Sequence, residues 1–236
     1  MNILCTICMR GGSKEIVNKN IKKINGKPLL SYTIEQALKS NVFNLVMVST
    51  DSKKIFNCSK KYGAKAWFLR PKKLATDDSV KILAIRHALL ESEKLLNKKF
   101  DIIVNLHVTS PLRSVNDIRN ALKQFKREKS DTLVSATPCK RNPYFNMLEK
   151  VSGKLKIVKK TVKKVNRRQD APIVYDMNAS IYIWKRKNLL DLKTLYEKKT
   201  SLYIMPPERS LDIDSKFEWK ITENILKQNE KKQLRK

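Results

Sequence analysis

Two adjacent glycines, in a chain that carries only five, stand between cations in Arg10-Gly11-Gly12-Ser13-Lys14. Glycine lets a backbone approach an anion closely and aim its amides at phosphate oxygens. Arg10, Lys14 and Lys19 add the positive charge that a polyphosphate requires. Neither G-x-x-x-x-G-K-[ST] nor G-x-G-x-x-G can be written through the stretch, so it is a nucleotide loop of another kind. A solvated basic turn is the plainer alternative. The scarcity of glycine elsewhere favours the anion.

Three further segments could do chemistry with it. Asp212-Ile213-Asp214 puts carboxylates at i and i+2 of an extended stretch, on one side, which suits Mg²⁺ shared with phosphate oxygens. The alternative makes Asp214 the N-cap of the last helix. Thr109-Ser110-Pro111-Leu112-Arg113 offers hydroxyls and an arginine at a strand end, or is only a Ser-Pro turn into a helix. Asn166-Arg167-Arg168-Gln169-Asp170, with Tyr175–Tyr182 behind it, fits a carboxylated, hydroxyl-rich ligand, because arginine grips carboxylates through two parallel hydrogen bonds. Solvent-facing arginines are the alternative there.

The elements that must position these groups alternate. Apolar runs Ile3–Cys8, Leu45–Ser49, Ala66–Leu69, Ile102–His107 and Thr132–Thr137 read as strands. Helical patterns follow them at Leu29–Lys39, Lys53–Tyr62, Ser79–Leu96 and Val115–Glu128. The alternation predicts an α/β fold, a mostly parallel sheet covered on both faces, with ligands outside the carboxyl ends of its strands. Pro28 is expected to open the first helix and Gly63 to end the second. The pattern fails between about Pro138 and Pro172, a lysine-rich stretch with turn signals at Asn142-Pro143 and Ser152-Gly153. That stretch is either a flexible excursion or a small lobe inserted for oligomerisation. The pattern resumes with Ala179–Trp184, a short helix, Ser201–Met205 and a helix from about Lys216 to Gln228, before a frayed tail Lys231–Lys236. Residues 1–236 read as one domain with an insertion over about 138–172.

A formal net charge of +29 raises the question of nucleic acid. The charge is 39 Lys against 12 Arg, spread over nearly every segment and not interleaved with aromatics, so no specific nucleic-acid partner is expected. Cys5 and Cys8 form a C-x-x-C inside the first strand, where positions three apart face opposite ways. Buried thiols are expected there, neither a zinc site nor a disulfide. No apolar stretch approaches the ~20 residues of a membrane span and no leader pattern opens the chain, so the expected compartment is the cytoplasm, with no membrane partner.

In order and at these intervals, the segments resemble the acylneuraminate cytidylyltransferase family, over essentially the whole chain. That family opens with Arg-x-x-Ser-Lys-Gly-x-x-x-Lys-Asn; Arg10, Ser13, Lys14, Lys19 and Asn20 match, and Glu15 stands where a glycine is usual. Ser49-Thr50-Asp51, Leu69-Arg70-Pro71, Leu74-Ala75-Thr76-Asp77, Thr109–Arg113, Arg168-Gln169, Asn178–Tyr182 and Asp212–Ser215 match as well. The resemblance implies a three-layer Rossmann-like fold with a small dimerisation lobe, hence a homodimer. It implies CTP and a nonulosonic acid as substrates and Mg²⁺ as cofactor. It places Arg10, Gly11, Gly12, Ser13, Lys14, Asn20, Arg70 and Lys81 at the nucleotide, and Asp212 and Asp214 on the metal. Lys19, Arg10 and Asp212 become catalytic; His107, Thr109, Ser110, Arg168, Gln169, Asn178 and Tyr182 face the sugar acid. Arg141–Asn146 and Tyr175–Tyr182 look closest to legionaminic acid synthetases, and Lys81 leans the same way. Neuraminate enzymes carry Gln-Pro where this sequence has His107-Val108. Synthetases for CMP-Kdo or CMP-pseudaminate are close rivals. Two rivals come from other classes. A glycosyltransferase would use a preformed sugar nucleotide and a D-x-D nearer the middle of its sequence. A basic nucleic-acid binder would lose affinity steeply with salt.

Overall fold

The computed structural model describes residues 1–13, 15–76, 80–161, 165–191 and 199–234. Lys14 and Asp77 lie outside the described residues. The strands are β1 (Ile3–Cys8), β2 (Lys23–Ile24), β3 (Lys27–Pro28), β4 (Leu45–Ser49), β5 (Ile102–Leu106), β6 (Thr132–Pro138), β7 (Leu148–Val151), β8 (Lys154–Ile157), β9 (Tyr175–Lys185) and β10 (Thr200–Ile204). The helices are α1 (Leu29–Ser40), α2 (Lys53–Lys61), α3 (Lys81–Leu96), α4 (Val115–Arg127), α5 (Arg186–Asp191) and α6 (Lys216–Leu234).

Among the described residues the main sheet has six strands in the order β10-β6-β9-β5-β1-β4. β1 runs parallel to β4 and β5, and β10 parallel to β6, while β9 is antiparallel to both neighbours. Alternation along β1 explains the layers. Ile3, Cys5 and Ile7 join one apolar core with side chains of α1, α2, α4 and α6, and Leu4 joins a second core with α3 and α5. A strand with apolar residues on both faces can be stable only in such a sandwich. Cys5 and Cys8 accordingly face opposite cores, and burial pushes both thiols up from their ordinary range.

Several expectations are corrected. Ala66–Leu69 is not a strand: Lys65 alone bridges Met47, and the backbone then leaves the sheet edge so that the Arg70 amide reaches the Thr50 carbonyl at 2.8 Å. Pro28 is the N-cap of α1 and not its first helical residue. Gly63 does follow α2, at φ +88, and continues its C-terminal turn with a bond to the Lys60 carbonyl. The Ala179–Trp184 run is the inner part of a longer antiparallel strand. α6 continues through much of the tail expected to fray.

The irregular stretch holds an exposed hairpin. β7 and β8 pair antiparallel across Ser152-Gly153, both at positive φ as a two-residue primed turn requires. In β9 the register against β6 jumps: Val134 faces Tyr182, but Ala136 faces Met177. Ala179 sits in this bulge at φ 48, a conformation that costs a non-glycine residue about 1–2 kcal/mol. Its neighbours hold it there, because the flanking Asn178 and Ser180 are buried and both are hydrogen-bonded to other elements.

Candidate active site

β1, β4 and β5 run parallel and end on the same side; the loops that follow β1 and β5 meet around a cavity of about 510 Å³, and Arg70, whose amide is bonded to Thr50 after β4, completes its wall. Arg10, Gly12, Ser13, Lys19 and Asn20 line one wall. Arg70, Lys81, His107, Thr109 and Asp214 line the rest, with Cys8 and Leu74-Ala75-Thr76 between them.

The two glycines serve different ends. A side chain on Gly11 would bring its Cβ within 3.1 Å of Ser52 Cβ, so this glycine lets the loop pack on the start of α2. Its amide donates to Asp51 Oδ1 at 2.9 Å and does not face the cavity, correcting the expectation for position 11. Nothing lies within 4 Å of a Cβ on Gly12, which leaves room for a ligand against the backbone. Asn20 Nδ2 donates to the Arg10 carbonyl at 3.0 Å and closes the loop.

The acids arrive from the other end of the sequence. Lys19 Nζ donates to the Ile213 carbonyl at 2.8 Å and lies 3.5 Å from Asp214 Oδ1. Ser215, and not Asp214, caps α6: Glu218 Oε2 accepts from the Ser215 amide at 2.7 Å, and Ser215 Oγ accepts from the Glu218 amide at 3.4 Å. Asp214 is thereby left at the cavity. Behind it the Ile213 amide donates to the Thr109 carbonyl at 2.9 Å, and Ile213 is fully buried. Arg209 anchors the preceding segment by donating to both oxygens of buried Asp117, at 2.8 and 3.0 Å.

Asp212 Oδ1 is buried with no hydrogen-bond partner among the described residues. Desolvation raises its pKa, the Thr109 hydroxyl opposes that, and the nearby Asp214 carboxylate adds to it. An orphaned carboxylate oxygen beside a second carboxylate fits a hard divalent cation. Among the described residues no three His, Cys, Asp or Glu side chains converge on a metal position. Such a cation would therefore complete its shell with ligand oxygens and water.

Lys81 stands at the start of α3 with Nζ 2.9 Å from His107 Nδ1 and in contact with Nε2. Lys81 is exposed as a residue, but desolvation around its ammonium lowers its pKa to about 8; Cys8 and Asp212 pull the other way, while the cations Arg70 and Lys19 add to the fall. His107 is held well below its ordinary value, chiefly by desolvation and then by Lys81 and Arg113, so its ring is neutral. The ring packs 5.4 Å from that of Tyr182, which stacks on Trp184 at 5.6 Å.

Several predicted ligand residues prove to be supports. Arg113 is fully buried beneath its loop and donates to the carbonyls of His107 and Ser180, the hydroxyls of Ser180 and Thr33 and the Gln36 amide oxygen. Ser110 Oγ donates to the Asn178 carbonyl at 3.4 Å. Asn178 accepts from Ser135 at 2.7 Å and donates to Ser210 at 2.9 Å, so it steadies the segment that carries the acids. Arg168 and Gln169 lie on an exposed turn outside the cavity wall, where Arg168 donates to the Cys139 carbonyl. Asp51, to which the sequence reading gives no role, holds the Gly11 amide from the carboxyl end of β4. Its position at a strand's carboxyl end, beside the glycine loop, is the signal that could have found it.

The family described as Cytidylyltransferase matches residues 4–235. A post-translational flagellin modification protein B of Campylobacter coli is 46% identical over 188 residues, 80% of this chain and 79% of that protein. A CMP-N,N'-diacetyllegionaminic acid synthase of Campylobacter jejuni is 43% identical over 189 residues, 80% of each protein. A CMP:2-keto-3-deoxy-manno-octonic acid synthetase solved with CTP superposes with a TM-score of 0.71 at 15% identity, over 97% of this chain and 100% of that one, which shows the fold.

Arg113→Met removes the guanidinium donors that five acceptors share, three of those bonds buried, and puts nothing polar in their place. It should cost about 3 kcal/mol or more of stability, measured by urea unfolding. A variant that unfolds like the wild type would return Arg113 to a ligand role.

Proposed function

We propose that this chain, which belongs to the cytidylyltransferase family, transfers CMP from CTP to a nonulosonic acid and releases pyrophosphate. The observation that carries the reading is Lys19, whose ammonium joins the glycine loop to the Asp212-Ile213-Asp214 segment across one cavity. The likeness to a CMP-N,N'-diacetyllegionaminic acid synthase supports an acid of the legionaminic type. A reaction that draws on CTP is in keeping with the cytoplasm; no described helix is long and apolar enough to cross a membrane.

In this reading the anomeric hydroxyl of the sugar acid attacks the α-phosphorus in line. The new O–P bond forms as the bond to pyrophosphate breaks, and no covalent intermediate is made with the protein. Such a transfer asks the protein for positioning and for neutralisation of charge. Arg10, Ser13, Asn20 and the Gly12 backbone take the triphosphate, joined by Lys14 as the family likeness implies. Lys19 meets charge that builds on the leaving pyrophosphate. Arg70 and Lys81 add cations to the nucleotide side, while His107 and Thr109 wall the sugar side; Tyr182, expected to face the sugar acid, is buried behind the His107 ring and supports it. Mg²⁺ held by Asp212 and Asp214 would neutralise phosphate charge and acidify the attacking hydroxyl.

The hairpin side of the molecule supports a homodimer. Leu148 and Leu155 of the hairpin are 61% and 69% exposed, and Ile173, at 79%, leads into a β9 that also leaves Tyr175 and Met177 exposed. A second copy would cover that apolar surface. Arg168 and Gln169, outside their own subunit's cavity, would meet a sugar acid only through that second copy.

Asp212→Ala should lower kcat by orders of magnitude in a pyrophosphate-release assay with CTP, Mg²⁺ and legionaminic, neuraminic, pseudaminic and Kdo acids. Lys19→Ala should cost about 10²- to 10³-fold, as loss of one preorganised charge does; release with none of the four acids would overturn the assignment. Lys81 is charged below about pH 8 and neutral above it. Calorimetry should therefore show CTP affinity falling as pH rises through that value, and Lys81→Met should flatten the profile. Leu155→Glu should convert a dimer to a monomer in sedimentation, whereas a wild-type protein that sediments as a monomer removes the dimer from the reading.

A further inference from the structure

We propose that Asp51 is a positioning residue whose carboxylate holds the glycine loop in its nucleotide-receiving shape before the nucleotide arrives. The proposal rests on the CTP reading above. Asp51 follows β4, and its Oδ1 accepts from the Gly11 amide at 2.9 Å. Arg70 stands across from it, with Nη2 3.8 Å from the same oxygen. That nitrogen also donates to the Met9 carbonyl at 2.7 Å, and the Arg70 amide donates to the Thr50 carbonyl at 2.8 Å. Residues 9 and 11 are thus held from one side by a single arginine–aspartate pair.

A carboxylate next to a polyphosphate site repels the ligand, so attraction does not explain it. Helix capping does not explain it either, because Ser52 Oγ already caps α2 by accepting from the Ile55 amide. What Asp51 supplies is order. A Gly-Gly pair has more backbone freedom to lose than any other, and a nucleotide binding a loose loop would have to bear that loss. With the Gly11 amide fixed outward, Gly12 is presented to the cavity with open space over its Cα. Arg70, which is buried, balances the charge of Asp51 at the point where a phosphate would otherwise feel it.

Two substitutions separate acceptor from charge. Asp51→Asn keeps an oxygen for the Gly11 amide and loses the negative charge; Asp51→Ala loses both. CTP binding followed by calorimetry should weaken about tenfold in Asp51→Ala, the equivalent of one charge-assisted hydrogen bond. Asp51→Asn should bind CTP as tightly as the wild type or more tightly, and KM for the sugar acid should stay unchanged in both. Without nucleotide, hydrogen exchange at the Gly11 amide should speed up in Asp51→Ala and return to the wild-type rate in Asp51→Asn. Unchanged exchange and CTP affinity in Asp51→Ala overturns the inference. Equal losses in the two variants, or losses that fall alike on CTP and sugar acid with a lowered melting temperature, overturn it too. A wild-type protein that binds no CTP defeats the functional reading itself, a result that the variants cannot mimic.

Discussion

The cavity exists because Lys19 reaches the backbone of a residue 194 positions further along the sequence. An ammonium on a side chain left only 14% exposed needs acceptors, and the Ile213 carbonyl and the Asp214 carboxylate provide them. The bond fixes the end of the glycine loop against the acidic segment. Other contacts at that segment support the same meeting: Arg209 on Asp117, Asn178 on Ser210, Ile213 on Thr109. If these anchors were lost, the glycine-loop wall and the acidic wall would belong to two unrelated surfaces.

The charges of the cavity are arranged in tension. Arg10, Lys19, Arg70 and Lys81 line it, against Glu15 and Asp214. Desolvation and neighbouring cations lower the pKa of Lys81 and hold His107 neutral, while desolvation and Asp214 raise that of Asp212. Each of these shifts would relax with a polyanion and a divalent cation in place. Rigidity comes from contacts beneath, above all buried Arg113 tying the His107 loop to the β9 bulge.

Much of this molecule is legible in the order of its residues. The alternation of runs locates β1, β4, α1 and α4 closely, because a strand buried on both faces and a helix with one apolar stripe leave plain periodicities. The loop at Arg10–Asn20 and the acids at 212 and 214 are legible from residue type alone. Less legible are the details that depend on neighbours. Leu69 and Trp67 are apolar enough for a strand, yet both lie exposed where the backbone leaves the sheet. Arg113 and Asn178 have the chemistry of ligand groups, and nothing in their local pattern says that they face inward.

Local sequence thus determined which elements form and which residue types are available for chemistry, since propensity and periodicity act over a few positions. Only the tertiary structure decided which of those residues share a space. It turned β9 antiparallel between β5 and β6, sent the Gly11 amide to Asp51 and left the cap of α6 to Ser215 so that Asp214 could meet Lys19. Those outcomes depend on contacts between residues far apart in the sequence, and no short-range pattern encodes the direction in which a polar side chain will find its partner.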